Sequence, residues 1–458
     1  MPETRPLPYP LPAFRFEEKA SEKIAPFLAQ ASVAFLLIVS ILAPVINFSD
    51  DLPWFRVEQL ALVPLGLIYL WLLLAGLARP IKSNPLFPIA LVYCALISLS
   101  IFYGTFVLGH RVLFKDAYEI PKVILPLIFF TLGLEANLSE KWIRRILFYY
   151  SLAIIPVCLY AFAQWMNLGI SQQLVPIYSG GWHDDGALAH YRRVYSTMGN
   201  PNLLGQLMTW SISFFTLSFL FRVGNRLFNL FLITICLVTL AMTGSRYGII
   251  DTALAFLLIF LLSASVKKRR AAMIGLLLVL FPFFAWVVFT VAKSNAATLD
   301  RLQSLSNPAQ TDSLRGRLDE LWPEASKEFF ESPILGHGSA KIIFGIVQTD
   351  SEYLDVLKQF GIIGFLGYIA FYIYPLRVLW RGISYRGRSN IPTEEHFPAS
   401  LLTLQLSFII LVTALVMNFG MSTFYAAPIQ GFFWLWIGIG VGVVYRFFPF
   451  CHPRVAGS

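Results

Sequence analysis

LFNLFLITICLVTLAMTGSRYGIIDTALAFLLIFLLSASVKKRR, residues 227–270, is the stretch whose reading decides the fold. Two apolar runs, 227–243 and 247–264, flank a short turn holding Gly244, Ser245 and Arg246. Each run is about long enough to cross a bilayer core of ~30 Å. Only closed backbone hydrogen bonding survives in lipid, so each run must be a helix. The turn is so tight that Arg246 can hardly leave the membrane surface. Beyond the second run stand Lys267, Lys268, Arg269 and Arg270. Two apolar spans, a tight turn and a block of cations on the far side are the pattern of a polytopic membrane protein.

The same pattern extends in both directions. The spacing predicts helices at 25–48, 57–78, 86–108, 119–135 and 146–168, and then at 203–221, 227–243, 247–264, 272–292, 353–378, 400–418 and 424–445. The expected fold is therefore all-α, with about twelve transmembrane helices. The 458 residues are 57% hydrophobic and 13% charged. Soluble chains carry about 25% charged residues, so a soluble enzyme is excluded. The net charge of +9 sits mainly in short loops, which points to membrane orientation and not to nucleic acid. The first apolar block follows a Pro-rich polar stretch and has no clear cleavage site, so it reads as a signal anchor. Cys94, Cys158 and Cys236 lie in apolar blocks and Cys451 in the polar tail; no pair has metal-ligand spacing and no disulfide framework is suggested.

Alternate loops differ in Lys and Arg. One set holds Arg5, Arg15, Lys19, Lys23, Arg79, Lys82, Lys141, Arg144, Arg145, Arg222, Arg226, the 267–270 block, Arg381, Arg386, Arg388, Arg446 and Arg454. The other has Arg56, Arg111, Lys115, Arg192, Arg193 and Arg246. The first set is expected on the cytoplasmic side, with both termini inside. The expected organisation is a cytoplasmic tail 1–24, nine spans over 25–292 with an outer loop near 169–202, a large periplasmic loop 293–352, three spans over 353–445 and a cytoplasmic tail 446–458. Within the large loop, Leu314, Leu318, Leu321 and Trp322 fall at helical spacing, which predicts an amphipathic surface helix broken or kinked near Pro323.

Cations on the depleted side break the pattern. Arg192 and Arg193 stand in HYRRVYSTMGNPN, and Arg246 stands in MTGSRYG. An arginine there costs a few kcal/mol unless paired or hydrated. Guanidinium matches phosphate through paired hydrogen bonds, so an arginine cluster at the outer boundary suggests a lipid-linked phosphate or diphosphate. Snorkelling is the alternative, and for Lys122 it is the favoured one. Asp350, Glu352 and Asp355 lie where the long loop re-enters the membrane. One of them could be a general base on a sugar hydroxyl; equally, Asp350 and Ser351 could cap the following helix, and Asp355 could pair with Lys358. His337, between glycines, reads as a turn residue. His183, Asp184 and Asp185 read as solvated, and His190 is a weak candidate for substrate contact. Trp165, Trp182 and Trp322 could be interfacial anchors or sugar platforms. No Walker, dinucleotide or zinc motif appears.

Three stretches carry a resemblance: RRVYSTMGNPNLLG at 192–205, MTGSRYG at 242–248, and ESPILGHGS followed by DSEYLDVLKQFGIIGFLG within 331–366. In order, spacing and placement they resemble the O-antigen ligase and polymerase superfamily of membrane glycosyltransferases. The resemblance implies a GT-C-like helical fold acting on glycans carried by undecaprenyl diphosphate in the periplasm of the inner membrane, with no metal or other cofactor. It implies that Arg193 and Arg246 hold the diphosphate, with Arg315 or Arg317 adding to them. Substrate contacts at Arg192, Asn200, Asn202, Glu352 and Tyr353 follow from the same likeness. Ligases of lipid A-core typically carry His-Asn where this sequence has Asp350-Ser351, and Asp350 could do similar work. The expected function is therefore polymerisation of lipid-linked repeat units, with Asp350 and Arg246 as catalytic residues and a chain-length regulator as a further partner. The rivals are a ligase, differing only in acceptor, and a transporter, which should show polar or broken helices near the bilayer midplane.

Overall fold

A computed structural model describes residues 18–46, 55–74, 84–111, 113–136, 138–179, 193–263, 267–293, 315–340, 349–386, 397–421 and 427–447. Each of the twelve predicted apolar blocks is a helix. In chain order they are α1 (Glu18–Leu42), α2 (Val57–Leu74), α3 (Leu86–Phe106), α4 (Pro121–Glu135) and α5 (Glu140–Trp165). After α6 (Gly169–Ser179) come α7 (Pro201–Phe221), α8 (Arg226–Thr243), α9 (Arg246–Ser263) and α10 (Lys267–Lys293). The set closes with α11 (Trp322–Glu331), α12 (Glu352–Arg386), α13 (Pro398–Met417) and α14 (Ala427–Phe447). Among the described residues, nine helices are long and apolar enough to cross a membrane: α3, α5, α7 to α10, α12, α13 and α14. The protein is a multi-pass membrane protein, all-α apart from a two-residue antiparallel pairing of Val45–Ile46 with Phe55–Arg56.

Several boundaries depart from the hydropathy pattern because polar residues extend helices past their apolar centres. α5 begins at Glu140 and not at 146, since Ser139 caps it by accepting from Trp142 N at 3.4 Å. Glu140 then pairs with Arg144 one turn on, at 3.2 Å. α10 takes in the whole 267–270 cationic block. α1 starts at Glu18 and stops at Leu42, just before Pro44. α6 lies inside what the sequence shows only as a loop.

Polar contacts gather the helix ends into two groups. At one end, Thr197 Oγ1 donates to Ile41 O of α1, Gln430 Nε2 of α14 to Lys122 O of α4, and Glu352 N of α12 to Asn418 O beside α13, at 2.6, 3.1 and 3.0 Å. At the opposite end, Glu140 of α5 meets the start of α13, and Arg269 of α10 lies 4.0 Å over the Phe221 ring that closes α7. These contacts make α1, α5, α10 and α13 run toward the first end and α4, α7, α12 and α14 away from it.

α7, α13 and α14 form the centre. The Trp210 ring stacks on Phe432 with centroids 5.9 Å apart, and its Nε1 donates to Thr413 Oγ1 at 3.1 Å. Polar residues are buried inside some of these apolar helices. α7 buries Gln206, Thr209, Ser211, Ser213, Thr216 and Ser218, and α9 buries Asp251. Serine and threonine are tolerated because their hydroxyls return to carbonyls one turn back, as Ser211 does to Leu207 O at 2.7 Å. α14 approaches α4 so closely that a Cβ at Gly438 would collide with the Phe130 carbonyl. Small residues at such contacts let helix backbones touch.

α12 is one helix only in outline. Gly361 sits at φ 64° and ψ −169°, breaking it. The gap is filled by the chain's own 332–338 segment: Lys358 O and Gln359 O accept from His337 N and Gly338 N at 3.1 and 2.8 Å, and Ile362 N donates to Pro333 O at 2.9 Å. A Cβ at Gly361 would strike the Ile334 carbonyl. Ser100 of α3 also donates to Gln359 O at 2.9 Å, which puts the break about 9 Å below the end of α3 at 1.5 Å per residue.

Candidate active site

The NPN motif builds the first part of the site. Asn200 caps α7, accepting from Asn202 N at 2.8 Å, and Pro201 occupies the first turn, where its missing N–H is not needed. The residues before it are fixed on α5, where Gln164 Oε1 accepts from Tyr195 N and Ser196 N at 3.1 and 2.8 Å. Arg193 is thereby aimed at the α8–α9 turn. Its Nε donates to Thr243 O, a carbonyl that the end of α8 leaves open, at 2.8 Å. Its Nη2 donates to Asn202 Oδ1 at 2.9 Å, and Ser245 Oγ donates to the same oxygen at 3.1 Å.

The SRYG turn builds the second part. Gly244 closes α8 in the left-handed region, at φ 57°. Ser245 Oγ accepts from Gly248 N at 3.2 Å and so caps α9. Arg246 is the first residue of α9 and is half-buried. Tyr247 follows, and its hydroxyl accepts from Arg317 Nη1 at 2.5 Å.

Arg317 and Asp350 complete the cluster. Arg317 Nε and Nη2 both donate to Asp350 Oδ2, at 3.2 and 2.9 Å. Asp350 adopts φ 55°, a costly conformation for a residue with a Cβ. No hydrogen bond of Asp350 caps α12; Thr349 and Asp355 instead hold the turn before it, with Thr349 Oγ1 donating to Asp355 Oδ1 at 2.9 Å and accepting from Ser351 N at 3.1 Å, and Glu352 N donates to Asn418 O. Trp322 Nε1 donates to Thr349 O at 3.1 Å, tying α11 to this turn. Arg193, Asn202 and Ser245 form one bonded group and Tyr247, Arg317 and Asp350 another, and the 245–247 turn, which also carries Arg246, joins the two at one end of the bundle. The N-termini of α7, α9 and α12 meet there and add positive potential.

Other expected residues fall elsewhere. Arg315 is exposed and faces Asp319 at 3.7 Å, so Arg317 is the loop arginine that enters the cluster. Lys122 pairs with buried Glu119 at 2.7 Å, a structural role. Glu352 is fully buried, so it offers no surface for substrate contact, and Tyr353 is half-buried with its hydroxyl donating to Leu415 O at 2.5 Å. Lys358 is buried between Asp355 at 3.5 Å and Glu328 at 3.8 Å, the pairing that the sequence allowed. Arg192, Trp182, His183, Asp184, Asp185 and His190 lie outside the described residues.

Several placements differ from the sequence reading or were not contained in it. The amphipathic stripe is displaced: Gly316–Leu321 is π-helical, Leu318 is 46% exposed, and buried Arg317 takes the inward position. The interruption read near Pro323 falls where the π-helical turn ends at Leu321 and α11 begins at Trp322, with Pro323 in the first turn of α11. His337 is more than a turn residue: its Nδ1 lies 3.2 Å from His110 Nε2 and its Nε2 bonds to Glu328 O at 2.8 Å. Asp116 and Ser339 are hydrogen-bonded beside this pair. Arg56 is fully buried, paired with Glu58 at 2.8 Å.

A multi-pass helical membrane protein with arginines and a half-exposed carboxylate gathered at one end is the class that fold and site define. Residues 230–369, from α8 into α12, match the family model described as O-antigen ligase. That match supports the resemblance to the O-antigen ligase and polymerase superfamily, and its stretch holds Arg246, Arg317 and Asp350. No curated protein matches the chain.

Proposed function

We infer that the protein is a membrane glycosyltransferase that polymerises undecaprenyl-diphosphate-linked repeat units of a surface polysaccharide, an O-antigen or an exopolysaccharide. The observation that carries this reading is a carboxylate, Asp350, held on one oxygen by Arg317, with no partner on the other among the described residues, and tied through Arg317 and Tyr247 to the turn that carries Arg246 and receives Arg193. All twelve apolar helices cross the inner membrane in a GT-C-like bundle, with both termini cytoplasmic and the cluster facing the periplasm. The opposite directions of α1 and α4, of α5 and α7, of α10 and α12 and of α13 and α14 support that count.

The chemistry is a single displacement. An acceptor hydroxyl oxygen bonds to the anomeric carbon of the donor as the bond from that carbon to the diphosphate oxygen breaks. The hydroxyl proton passes to Asp350. The diphosphate leaves as an anion, its charge offset by Arg246, Arg193 and the α7 and α9 N-termini. The anomeric configuration inverts.

A second reading, ligation of finished polymer to lipid A-core, has the family description in its favour; the aspartate in place of histidine favours polymerisation. The transporter reading has the buried polar residues of α7 and Asp251 of α9 in its favour, but the break in α12 is filled by the chain's own 332–338 backbone. The test is a gel profile of surface polysaccharide and lipid-linked intermediates with the gene deleted and then restored. Collapse of the ladder to a single capped repeat on deletion supports polymerase. Long polymer accumulating on the lipid carrier means ligase, and an unchanged profile refutes both.

A further inference from the structure

Arg317 was expected beside Arg193 and Arg246 as a ligand of the diphosphate, and its surroundings argue for different work. Both of its bonds to Asp350 end on the same oxygen, Oδ2. Among the described residues Oδ1 has no partner. The side chains differ in exposure in the same sense: Arg317 is 10% exposed and Asp350 50%. The guanidinium therefore stands behind the carboxylate and leaves its second oxygen facing outward. A third N–H is spent on the Tyr247 hydroxyl, so three of five donors are committed to protein groups.

Two local distortions serve this contact. The π-helical turn Gly316–Leu321 places Arg317 inward where the apolar pattern calls for Leu318. The left-handed backbone of Asp350 costs about 1 kcal/mol, and no cap requires it. Tyr247 is fixed in turn: its ring lies against Gly420, where any Cβ would overlap the phenol.

We propose that Arg317 is the positioning residue of Asp350, with Tyr247 holding Arg317, and that neither binds the departing diphosphate. This rests on the functional reading above. A carboxylate clamped on Oδ2 cannot rotate, so Oδ1 stays aimed at the acceptor hydroxyl, and the benefit appears in the rate of transfer and not in donor affinity.

The test is a double-mutant cycle on purified full-length protein in detergent, with a polyprenyl-diphosphate-linked oligosaccharide as donor and acceptor. Arg317→Met is expected to lower kcat about 30-fold or more with donor KM changed less than about twofold. In an Asp350→Asn background the same substitution should change residual kcat by less than about twofold, because a residue acting only through Asp350 has nothing left to position. Arg317→Lys keeps the charge without the fork and should stay within about threefold of Arg317→Met. Tyr247→Phe should cost roughly 3- to 10-fold in kcat, a loss that also vanishes beside Asp350→Asn. An unchanged donor KM shows that the variant is folded, and the Lys and Phe variants carry the test if the Met variant is not. A rise in donor KM of about tenfold or more, multiplying with Asp350→Asn, would make Arg317 a diphosphate ligand and overturn the inference alone. Wild-type protein that transfers nothing would overturn the functional reading as well.

Discussion

Two carboxylates, Glu140 and Asp350, sit at opposite ends of the bundle, and each contacts an arginine. Glu140 is used up. Its Oε1 accepts from Ala399 N and Arg144 Nε at 2.9 and 3.2 Å, and its Oε2 from Ser400 N and Ser400 Oγ at 3.0 and 2.8 Å. It caps α13 from another helix, since Phe397 in the N-cap position has no side chain able to do so. Asp350 spends one oxygen, in a strained backbone, and among the described residues its other oxygen has no partner, on a side chain 50% exposed. A satisfied carboxylate is structural; one held on a single oxygen and half open is arranged for something that arrives later.

The contrast can be broken by substitution. Arg246→Ala should act on chemistry alone, lowering glycan transfer about 100-fold or more while the protein still reaches the membrane in normal amount. Near-normal polymer from cells carrying that variant would remove the arginine end from the mechanism. Glu140→Gln should do the reverse. Removing the charge from four hydrogen bonds and a helix N-terminus is expected to cost about 1–2 kcal/mol of stability, read as a lower Tm in detergent with transfer preserved.

The smallest effect sharpens the comparison on the active end. Burial, and then neighbouring His337, hold His110 below the ordinary histidine range. The native protein therefore binds fewer protons here than the unfolded chain, so the contribution is present above about pH 6.5 and lost as pH falls. Asp116, Arg111 and the Glu328 carbonyl surround the pair. Hydrogen exchange in 332–340 should quicken on acidification from about pH 7 to 5.5 by a fewfold, and His110→Gln should flatten that dependence. Equal pH response in both proteins would mean that another group governs the segment.

Much of this was legible in the sequence, for identifiable reasons. Apolar run length found every long helix, because lipid allows no other backbone solution. The turn around Arg246 and the NPN cap are local in sequence and could be read directly. Asp350 stood out as a carboxylate at a membrane boundary. Its partner did not, because the π-turn that moves Arg317 inward has no apolar period to announce it. Glu140 with Ser400, and His110 with His337, join residues 260 and 227 positions apart, which no local pattern encodes. The break in α12 did leave a trace: Gly361 in FGIIG is the kind of interior glycine that marks a close backbone approach.

The most direct measurement is transfer by purified wild-type and Asp350→Asn protein given a polyprenyl-diphosphate-linked repeat, following free polyprenyl diphosphate and glycan length together. The account predicts that wild type releases one diphosphate for each added repeat, and that Asp350→Asn releases it about 100-fold more slowly while binding donor as tightly. An Asp350→Asn protein that lengthens the glycan at the wild-type rate would contradict it.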